Sequence, residues 1–327
     1  MITRSLCVLF GLLAASSWAQ DLGRTPCIQD GDIGELEPRI NSAAMNFVDA
    51  LFRGDSASAF SDLSRDLRLK LGSEGLAEKI RTIQQFEPTN ATVQHTYLIR
   101  VGEHPVDHVV CASKLLAPSQ WVSLNITNVP EQAHVLMSAD APNNRLAVTV
   151  WILRENNEWK VRGFWVNVAA LAGQDSAKLW ENARQQKQRM HSFNAALLYV
   201  AALQLVNRGP DLQMGIAQII TEDMNHTVAP PELQGPPPFS WRDGDKSWKI
   251  LSVGPMAVGG KVYVAISHEV PEIQTDSEVD GWNKELLTYF KNRFPEYSDV
   301  FAGVVIRAHE RGTNRKFGTV EQLGAPK

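Results

Sequence analysis

The chain has 327 residues, of which 44% are hydrophobic, and its 32 lysines and arginines nearly balance 36 aspartates and glutamates. This composition excludes a collagen-like, coiled-coil or disordered chain, and the length exceeds the size at which one hydrophobic core usually stops growing, so we expect two globular domains. The formal net charge of -4 is spread without a strong block of like charge, which gives no electrostatic reason to expect nucleic acid as a partner.

The chain begins with the pattern of a secretory signal peptide. Arg4 precedes a ten-residue apolar run at residues 6–15, and the small residues Ser17 and Ala19 occupy the −3 and −1 positions of a cleavage site. The alternative is a membrane anchor, but a span needs about 20 apolar residues. We therefore expect residues 1–19 to be removed after Ala19, which predicts a secreted or periplasmic protein with no transmembrane segment in its mature chain.

The cysteines are few. Removal of the leader would take away Cys7 and leave Cys27 and Cys111. In an oxidising compartment these two residues can form one disulfide, which would close a long loop and stabilise the fold. The alternative is two separate buried thiols, because cysteine also packs as a small hydrophobic residue. The sequence leaves both alternatives open.

After an irregular arm at residues 20–37, the sequence predicts an α+β domain at residues 38–170. Apolar residues at helical spacing indicate three helices, after which the period changes to the two-residue alternation of strands. The strongest hairpin joins residues 146–153 to residues 159–166 across a polar turn rich in asparagine. Helices packed on one face of a curved antiparallel sheet would bury one side of the first hairpin strand. That side carries Leu146, Val148, Val150 and Ile152.

The rest of the chain divides into three predicted segments. A helical connector at residues 175–228 is followed by a Pro-rich linker at residues 229–240, which we interpret as a stiff spacer. A small α+β domain at residues 241–327 completes the chain. In this domain one amphipathic helix lies between two pairs of strands in the order ββαββ. The four predicted strands are residues 248–253, 261–270, 300–308 and 316–323.

Two segments carry a family pattern. Residues 44–61 follow the order A-x-x-F-x-x-A-L-x-x-G-D-x-x-x-A, in which a Gly-Asp turn joins two helices, and residues 157–161 read N-E-W-K-V in the closing hairpin. These segments resemble secreted domains with the cone-shaped fold of nuclear transport factor 2 and cystatin-like proteins. The resemblance covers about residues 38–170, and it implies helices packed into a curved sheet. Residues 180–184 and 294–303 resemble bacterial envelope proteins of this layout whose function is uncharacterised.

The resemblance directs attention to the interior of the cone. Enzymes of this fold usually place an Asp–His or an Asp–Tyr pair there, and His95 and Tyr97 share the apolar parity of their strand. A proton-transfer pair is one interpretation, and a hydrogen-bonded core histidine beside a core tyrosine is the one we favour. Trp151 and Trp165 share a parity on the hairpin and could line an apolar ligand pocket. Packing against the helix that carries Trp180 is the alternative that we prefer.

Other chemical motifs are weak. Glu103-His104 and Asp107-His108 look like metal ligands, but Pro105 breaks the segment between them, and we expect a polar turn. The sequence contains no Gly-rich phosphate loop, G-x-S-x-G elbow or H-E-x-x-H motif. We therefore expect neither a cofactor nor a metal.

These patterns favour an exported, non-catalytic module for binding or assembly in the bacterial cell envelope. The partner could be an envelope protein or a small apolar ligand. The alternative is a small-molecule isomerase or hydrolase that uses the cone pocket through His95 and Tyr97. A third possibility is a structural subunit, which predicts exposed apolar area on the helical connector. Cone-fold proteins include isomerases, dehydratases and silent scaffolds, so the resemblance alone does not choose between these functions.

Overall fold

The computed structural model describes residues 27–101, 107–112, 121–142, 144–273 and 275–323, and these residues form an α+β fold. The helices are α1 (Leu36–Arg53), α2 (Ser56–Ser61), α3 (Arg65–Gln84), α4 (Ser176–Gln188), α5 (Ser192–Val206), α6 (Gly215–Asn225) and α7 (Asp276–Arg293). The strands are β1 (Cys27–Gln29), β2 (Thr89–Arg100), β3 (His108–Ala112), β4 (Trp121–Asn125), β5 (Glu131–Ala141), β6 (Asn144–Glu155), β7 (Glu158–Leu171), β8 (Gln174–Asp175), β9 (Leu212–Met214), β10 (Phe239–Asp243), β11 (Lys246–Val258), β12 (Lys261–Val270), β13 (Gly303–Glu310) and β14 (Lys316–Gln322).

The N-terminal half is a strongly curled antiparallel half-barrel with the strand order β1-β2-β5-β6-β7-β8. Helices α1–α3 pack on one face of this sheet, which we call the inner face; the opposite face is the outer face. Phe47 and Leu51 of α1 are fully buried there. The predicted side of β6 is confirmed as part of the same core, because all four of its apolar residues are fully buried. These are Leu146, Val148, Val150 and Ile152.

Local turn chemistry explains where these elements begin and end. Helix α1 ends at Gly54 in the left-handed conformation (φ 76°), and the side chain of Asp55 then caps α2 by accepting a hydrogen bond from the Ser58 N–H at 3.0 Å. The hairpin predicted between β6 and β7 is confirmed. It turns through Asn156 and Asn157, both of which have positive φ, as a two-residue hairpin requires.

The arm expected to be irregular contains a strand. Residues Cys27–Gln29 form β1, which pairs antiparallel with β2 at the edge of the half-barrel. Cys27 forms a disulfide with Cys111 of β3, with a Cα–Cα distance of 5.8 Å. Of the two alternatives that the sequence left open, the structure therefore shows the disulfide. It ties the first strand to the layer that covers the outer face.

That covering layer consists of the sheet β3-β4-β9 and helices α4–α6. Tyr97 and Leu136 on the outer face belong to the same hydrophobic core as Val122 and Leu124 of β4 and Phe193 of α5. Both faces of the half-barrel are therefore packed against other elements.

The C-terminal sheet has the order β10-β11-β12-β13-β14, in which only the β12–β13 pair is parallel. The helix α7 connects these two strands and covers one side of the sheet. The four predicted strands are present, and a fifth, β10, begins at Phe239 inside the segment expected to be a spacer. Trp241 of β10 is fully buried beside Phe290 and Phe294. Phe193 of α5 also stacks on Phe294, at 4.3 Å between ring centroids, so the connector shares a core with the C-terminal sheet.

Candidate functional site

The four residues singled out from the sequence lie together on the outer face of the half-barrel. Strand register arranges them in two neighbouring rows across β2, β5, β6 and β7. One row contains His95, Leu136, Thr149 and Trp165. The next row contains Tyr97, His134, Trp151 and Gly163.

The expectation that His95 and Tyr97 face the cone interior is wrong. The β2–β5 register shifts between Val93 and His95, so a β-bulge interrupts the two-residue alternation. Val93 packs against the inner core, whereas Tyr97 is fully buried in the outer core. Thr96, between the two, points inward and donates a hydrogen bond to Asn41 of α1 at 2.6 Å. A strict alternation read from the sequence could not include the extra residue.

His95 has a carboxylate partner. Its Nδ1 lies 3.2 Å from Oδ1 of Asp30, which directly follows β1. A backbone hydrogen bond also connects these segments: the N–H of Asp30 donates to the carbonyl oxygen of Thr96 at 3.1 Å. The pair lies at the edge of the sheet, and it fastens the turn after β1 to β2. The geometry therefore gives His95 a positioning role for the N-terminal strand.

His134 is a fully buried polar residue of the outer face. Its ring stacks on Trp151 with centroids 5.1 Å apart, and Nε2 lies 2.9 Å from the carbonyl oxygen of Asn125. Burial lowers the pKa of His134 to about 4, so the ring is neutral at pH 7, and Nε2 donates the proton to Asn125. The indole N–H of Trp151 donates to Gln132 Oε1 at 3.1 Å, and Gln132 in turn donates to the carbonyl oxygen of Thr127 at 2.7 Å. This network fixes the segment after β4 to the half-barrel.

Trp165 is different, because 37% of its surface is exposed. It lies against Gly209, in the loop after α5, where an added Cβ would be 2.8 Å from Cβ of Trp165. Its neighbour Asn167 donates two hydrogen bonds to the end of α5, to the carbonyl oxygens of Gln204 (2.7 Å) and Asn207 (3.2 Å). Trp165 thus contacts the connector at the loop after α5, near one border of the half-barrel.

That border is an open strand edge. Strand β7 pairs with β6 along its length but with β8 only through Ala170 and Leu171. The backbone groups of Val161 point away from β6: its N–H donates to the carbonyl oxygen of Asp62, and its carbonyl oxygen accepts from the N–H of Ser64. Between Val161 and Ala170, no strand in the described part of the chain pairs with this edge. Six backbone polar groups therefore lie along an unpaired stretch, and they belong to Phe164, Val166 and Val168.

The direction of these groups follows from the side-chain faces. In a strand, residues that share a face also send their N–H and C=O groups to the same side. Phe164 and Val166 pack against the inner core together with Val161, whose backbone groups point outward. The β6–β7 register shifts between Val161 and Gly163, so Arg162 is an extra residue in β7. Because of this bulge, Phe164 and Val166 have the same orientation as Val161 although each is an odd number of residues from it. Phe164 and Val166 therefore direct their backbone donors and acceptors to the open edge.

One cavity borders this edge, and a second lies nearby in the covering layer. One, of about 440 Å³, separates the edge from α3, and it is lined by Leu71, Gly75, Thr82 and Ile83 together with residues 164–166. The other, of about 490 Å³, lies among β9, α5 and α6 and includes Val206, Gly209 and Met214. Contact between Trp165 and Gly209 separates the two cavities. The alternation along residues 159–166 predicts a strand, but it does not indicate that this edge lacks a partner strand among the described residues.

Sequence reasoning also missed a buried polar cluster in the C-terminal sheet. His268 on β12 is 1% exposed, and its Nε2 lies 2.7 Å from Oδ1 of Asn283 on α7. A cavity beside it is bordered by Trp248 and Trp282. The two residues are 15 positions apart and belong to different elements, so only the fold brings them together.

The metal-like motif is only partly within the described chain. Glu103 and His104 lie outside the described residues, and the polar turn expected there stays a prediction. Within residues that the structure describes, no group of three or more His, Cys, Asp or Glu side chains is arranged to hold a metal ion. The same residues contain no helix long and apolar enough to cross a membrane.

Comparison with known proteins found no family model that matches this chain and no curated protein that matches it. The curled half-barrel with α1–α3 on its inner face is compatible with a cone fold. Membership of the cone-fold family stays a prediction from residues 44–61 and 157–161.

Proposed function

We propose that this protein is an exported, non-catalytic binding module that captures an extended peptide segment of an envelope protein by adding it as a strand to β7. The observation that carries the proposal is the open edge between Val161 and Ala170, which borders the cavity beside α3. Main-chain hydrogen bonds to such an edge give affinity, and side-chain pockets on the two faces give specificity.

An extended peptide on this edge would meet the α3 cavity with one face and the loop after α5 with the other. Its alternate side chains would point to opposite faces of the sheet, one set toward α3 and the other toward the loop after α5. The α3 cavity is largely apolar, and Glu78 and Lys79 supply one charge of each sign. This balance favours a partner strand with apolar, uncharged residues at its centre.

Export of the protein is part of the proposal. The predicted cleavage after Ala19 supplies the route, and the Cys27–Cys111 disulfide supports an oxidising compartment, because such bonds are rare where thiols are kept reduced. The resemblance to secreted cone-fold domains agrees with this assignment.

The alternative enzyme would act in the cone through His95 and Tyr97. Two observations favour binding instead. Both residues lie on the outer face, and the inner face is filled by fully buried side chains such as Phe47 and Leu51. The polar pair His95–Asp30 holds the N-terminal strand, a role that needs no substrate.

The experiment is a selection of random nonapeptides displayed on phage against the mature protein, followed by calorimetry with the selected peptides. Val166→Pro removes an outward N–H while leaving the pairing with β6, since proline is tolerated where the N–H faces away from the sheet. Val166→Thr keeps the N–H and nearly the same volume, and it serves as the matched control.

We expect peptides with alternating apolar residues, whose affinity falls about tenfold or more in Val166→Pro, because an unmade backbone hydrogen bond costs about 1–3 kcal/mol. Val166→Thr should bind within about threefold of the wild type, a difference of less than 1 kcal/mol. The proposal would be overturned if the selected peptides share no common pattern, or if Val166→Pro binds them as tightly as the wild type does. Far-ultraviolet circular dichroism checks that each variant is folded.

A further inference from the structure

The C-terminal sheet holds a separate cavity of about 250 Å³ between the start of β11, the end of β12 and α7. Its lining includes two tryptophans and four titratable side chains, which belong to Trp248, Trp282, Lys246, Glu285, Glu269 and His268. The cavity shares none of these residues with the strand edge of β7. A ligand in this cavity would therefore contact none of the residues that bind a peptide at β7.

The proton positions around His268 are fixed by a chain of hydrogen bonds. Asn283 donates through Nδ2 to Thr319 Oγ1 at 3.0 Å, and Thr319 donates to Asp280 Oδ1 at 2.8 Å. Since the amide nitrogen of Asn283 is a donor, the atom that faces His268 is the carbonyl oxygen Oδ1, and Nε2 of His268 must carry the proton. Burial lowers the pKa of His268, which keeps the ring neutral at pH 7. Nδ1 is consequently a hydrogen-bond acceptor on a ring that borders the cavity.

The charged side chains at the cavity are already paired. Lys246 Nζ lies 3.0 Å from Glu285 Oε1, and both side chains are about half exposed. Glu269 binds Lys249 at 2.9 Å and Arg311 at 2.7 Å through its two oxygens. An ionic ligand would meet attraction and repulsion together, whereas a neutral ligand with hydroxyl groups finds donors and acceptors side by side.

The aromatic walls are held in place by their neighbours. Trp248 packs beside Tyr289 with ring centroids 5.2 Å apart. Trp282 packs against the small apolar cluster that includes Val279 and Ala308. Flat apolar walls next to fixed polar groups suit a ligand that has an apolar face and a polar rim.

We propose that this cavity binds one ring of a neutral saccharide. In this arrangement Trp248 and Trp282 contact the C–H face of the ring. Nδ1 of His268 and the Glu285 carboxylate accept hydrogen bonds from hydroxyl groups, and Lys246 donates one.

The test uses three probes, maltotriose, cellotriose and the trimer of N-acetylglucosamine, titrated into the mature protein to about 10 mM, ten times a dissociation constant of 1 mM. Tryptophan fluorescence and the indole N–H signals in NMR spectra report binding. We expect at least one probe to bind and to perturb the signals of Trp248 and Trp282. Trp282→Ala should weaken binding about tenfold or more.

A second variant guards against misfolding of the first. The double substitution Lys246→Ala with Glu285→Ala removes an exposed ion pair that contributes little to stability, so the fold is expected to survive. It should weaken saccharide binding, whereas Trp180→Phe on α4 should leave it unchanged. The proposal would be overturned if none of the three probes binds, or if both cavity variants bind the probe as tightly as the wild type does. Peptide capture at β7 is measured separately with Val166→Pro, so either proposal can fail alone.

Discussion

Loss of the Cys27–Cys111 disulfide should destabilise the half-barrel strongly. The bond joins β1, the first edge strand, to β3 in the layer over the outer face, and its cysteines are separated by 84 positions. For a loop of that length, the chain-entropy relation gives a stabilisation of about 4–5 kcal/mol, because the cross-link limits the unfolded chain. Since stable domains have only about 5–15 kcal/mol in total, this bond is a large share of the stability.

The choice of substitution matters because Cys111 is 2% exposed. A serine there would add the cost of a buried hydroxyl group, about 1–3 kcal/mol, to the loss of the cross-link. Alanine avoids this addition. The informative variant is therefore Cys27→Ala with Cys111→Ala.

Urea denaturation of the mature protein provides the assay. The free energy of unfolding should fall by about 4–5 kcal/mol between the oxidised and the reduced wild type. The double alanine variant should match the reduced wild type closely, and reductant should have no effect on it. Titration of free thiols in denaturant checks the premise. Two free thiols in the oxidised protein, or a loss below about 1 kcal/mol, would refute the reasoning.

Three further predictions concern single residues. Burial lowers the pKa of His134 to about 4 from an ordinary 6.5, so the unfolded chain binds a proton that the folded chain excludes. The contribution of neutral His134 to the free energy of unfolding is fully present above pH 6.5, and up to about 3 kcal/mol of it is lost as the pH drops to 4. The urea midpoint should therefore fall less with pH in His134→Gln than in the wild type, and identical pH profiles of the two proteins would contradict this assignment. In Gly303→Ala, the new Cβ collides with the carbonyl oxygen of Glu321, so we expect a loss of about 1–3 kcal/mol in thermal unfolding, whereas Gly281→Ala in α7 meets open space and should gain about 0.5–1 kcal/mol; equal melting curves would argue against the strand register at Gly303. Asp175→Ala removes the cap of α4, which accepts a hydrogen bond at 2.9 Å, and should lose about 1 kcal/mol of unfolding free energy, while Asp175→Asn should keep most of it.

Local pattern was a sufficient guide to the inner half of the molecule. The two-residue alternation of Leu146 to Ile152 identified the side of β6 that α1–α3 cover, because one face of that strand meets only the helical core. The turn at Asn156 and Asn157 was also predictable, since asparagine tolerates the positive φ that a two-residue hairpin needs. These features depend on neighbours along the chain or on a single hairpin.

Features that depend on distant contacts were not predictable. The bulge between Val93 and His95 turns His95 to the outer face, and it is visible only in the pairing with β5. Strand β10 follows three prolines, and its first two residues, Phe239 and Ser240, fall within the predicted linker, because its pairing with β11 and the packing of Trp241 beside Phe290 are not visible in the local sequence. The His268–Asn283 pair requires β12 and α7 to be neighbours.

The sheet edges formed by β7 and β14 differ in how they are protected. Proteins usually protect an exposed edge with charged residues, proline or a covering element, because an unpaired edge recruits other strands. Strand β14 follows this practice: it begins with Lys316, and Glu321 on it binds Lys291 of α7. The open stretch of β7 between Val161 and Ala170 has no proline, its one charged residue, Arg162, lies over the ring of Trp151, and its exposed Trp165 borders a cavity. An apolar edge without such protection is a liability unless a partner strand occupies it, and this is the physical reason to place peptide capture at β7.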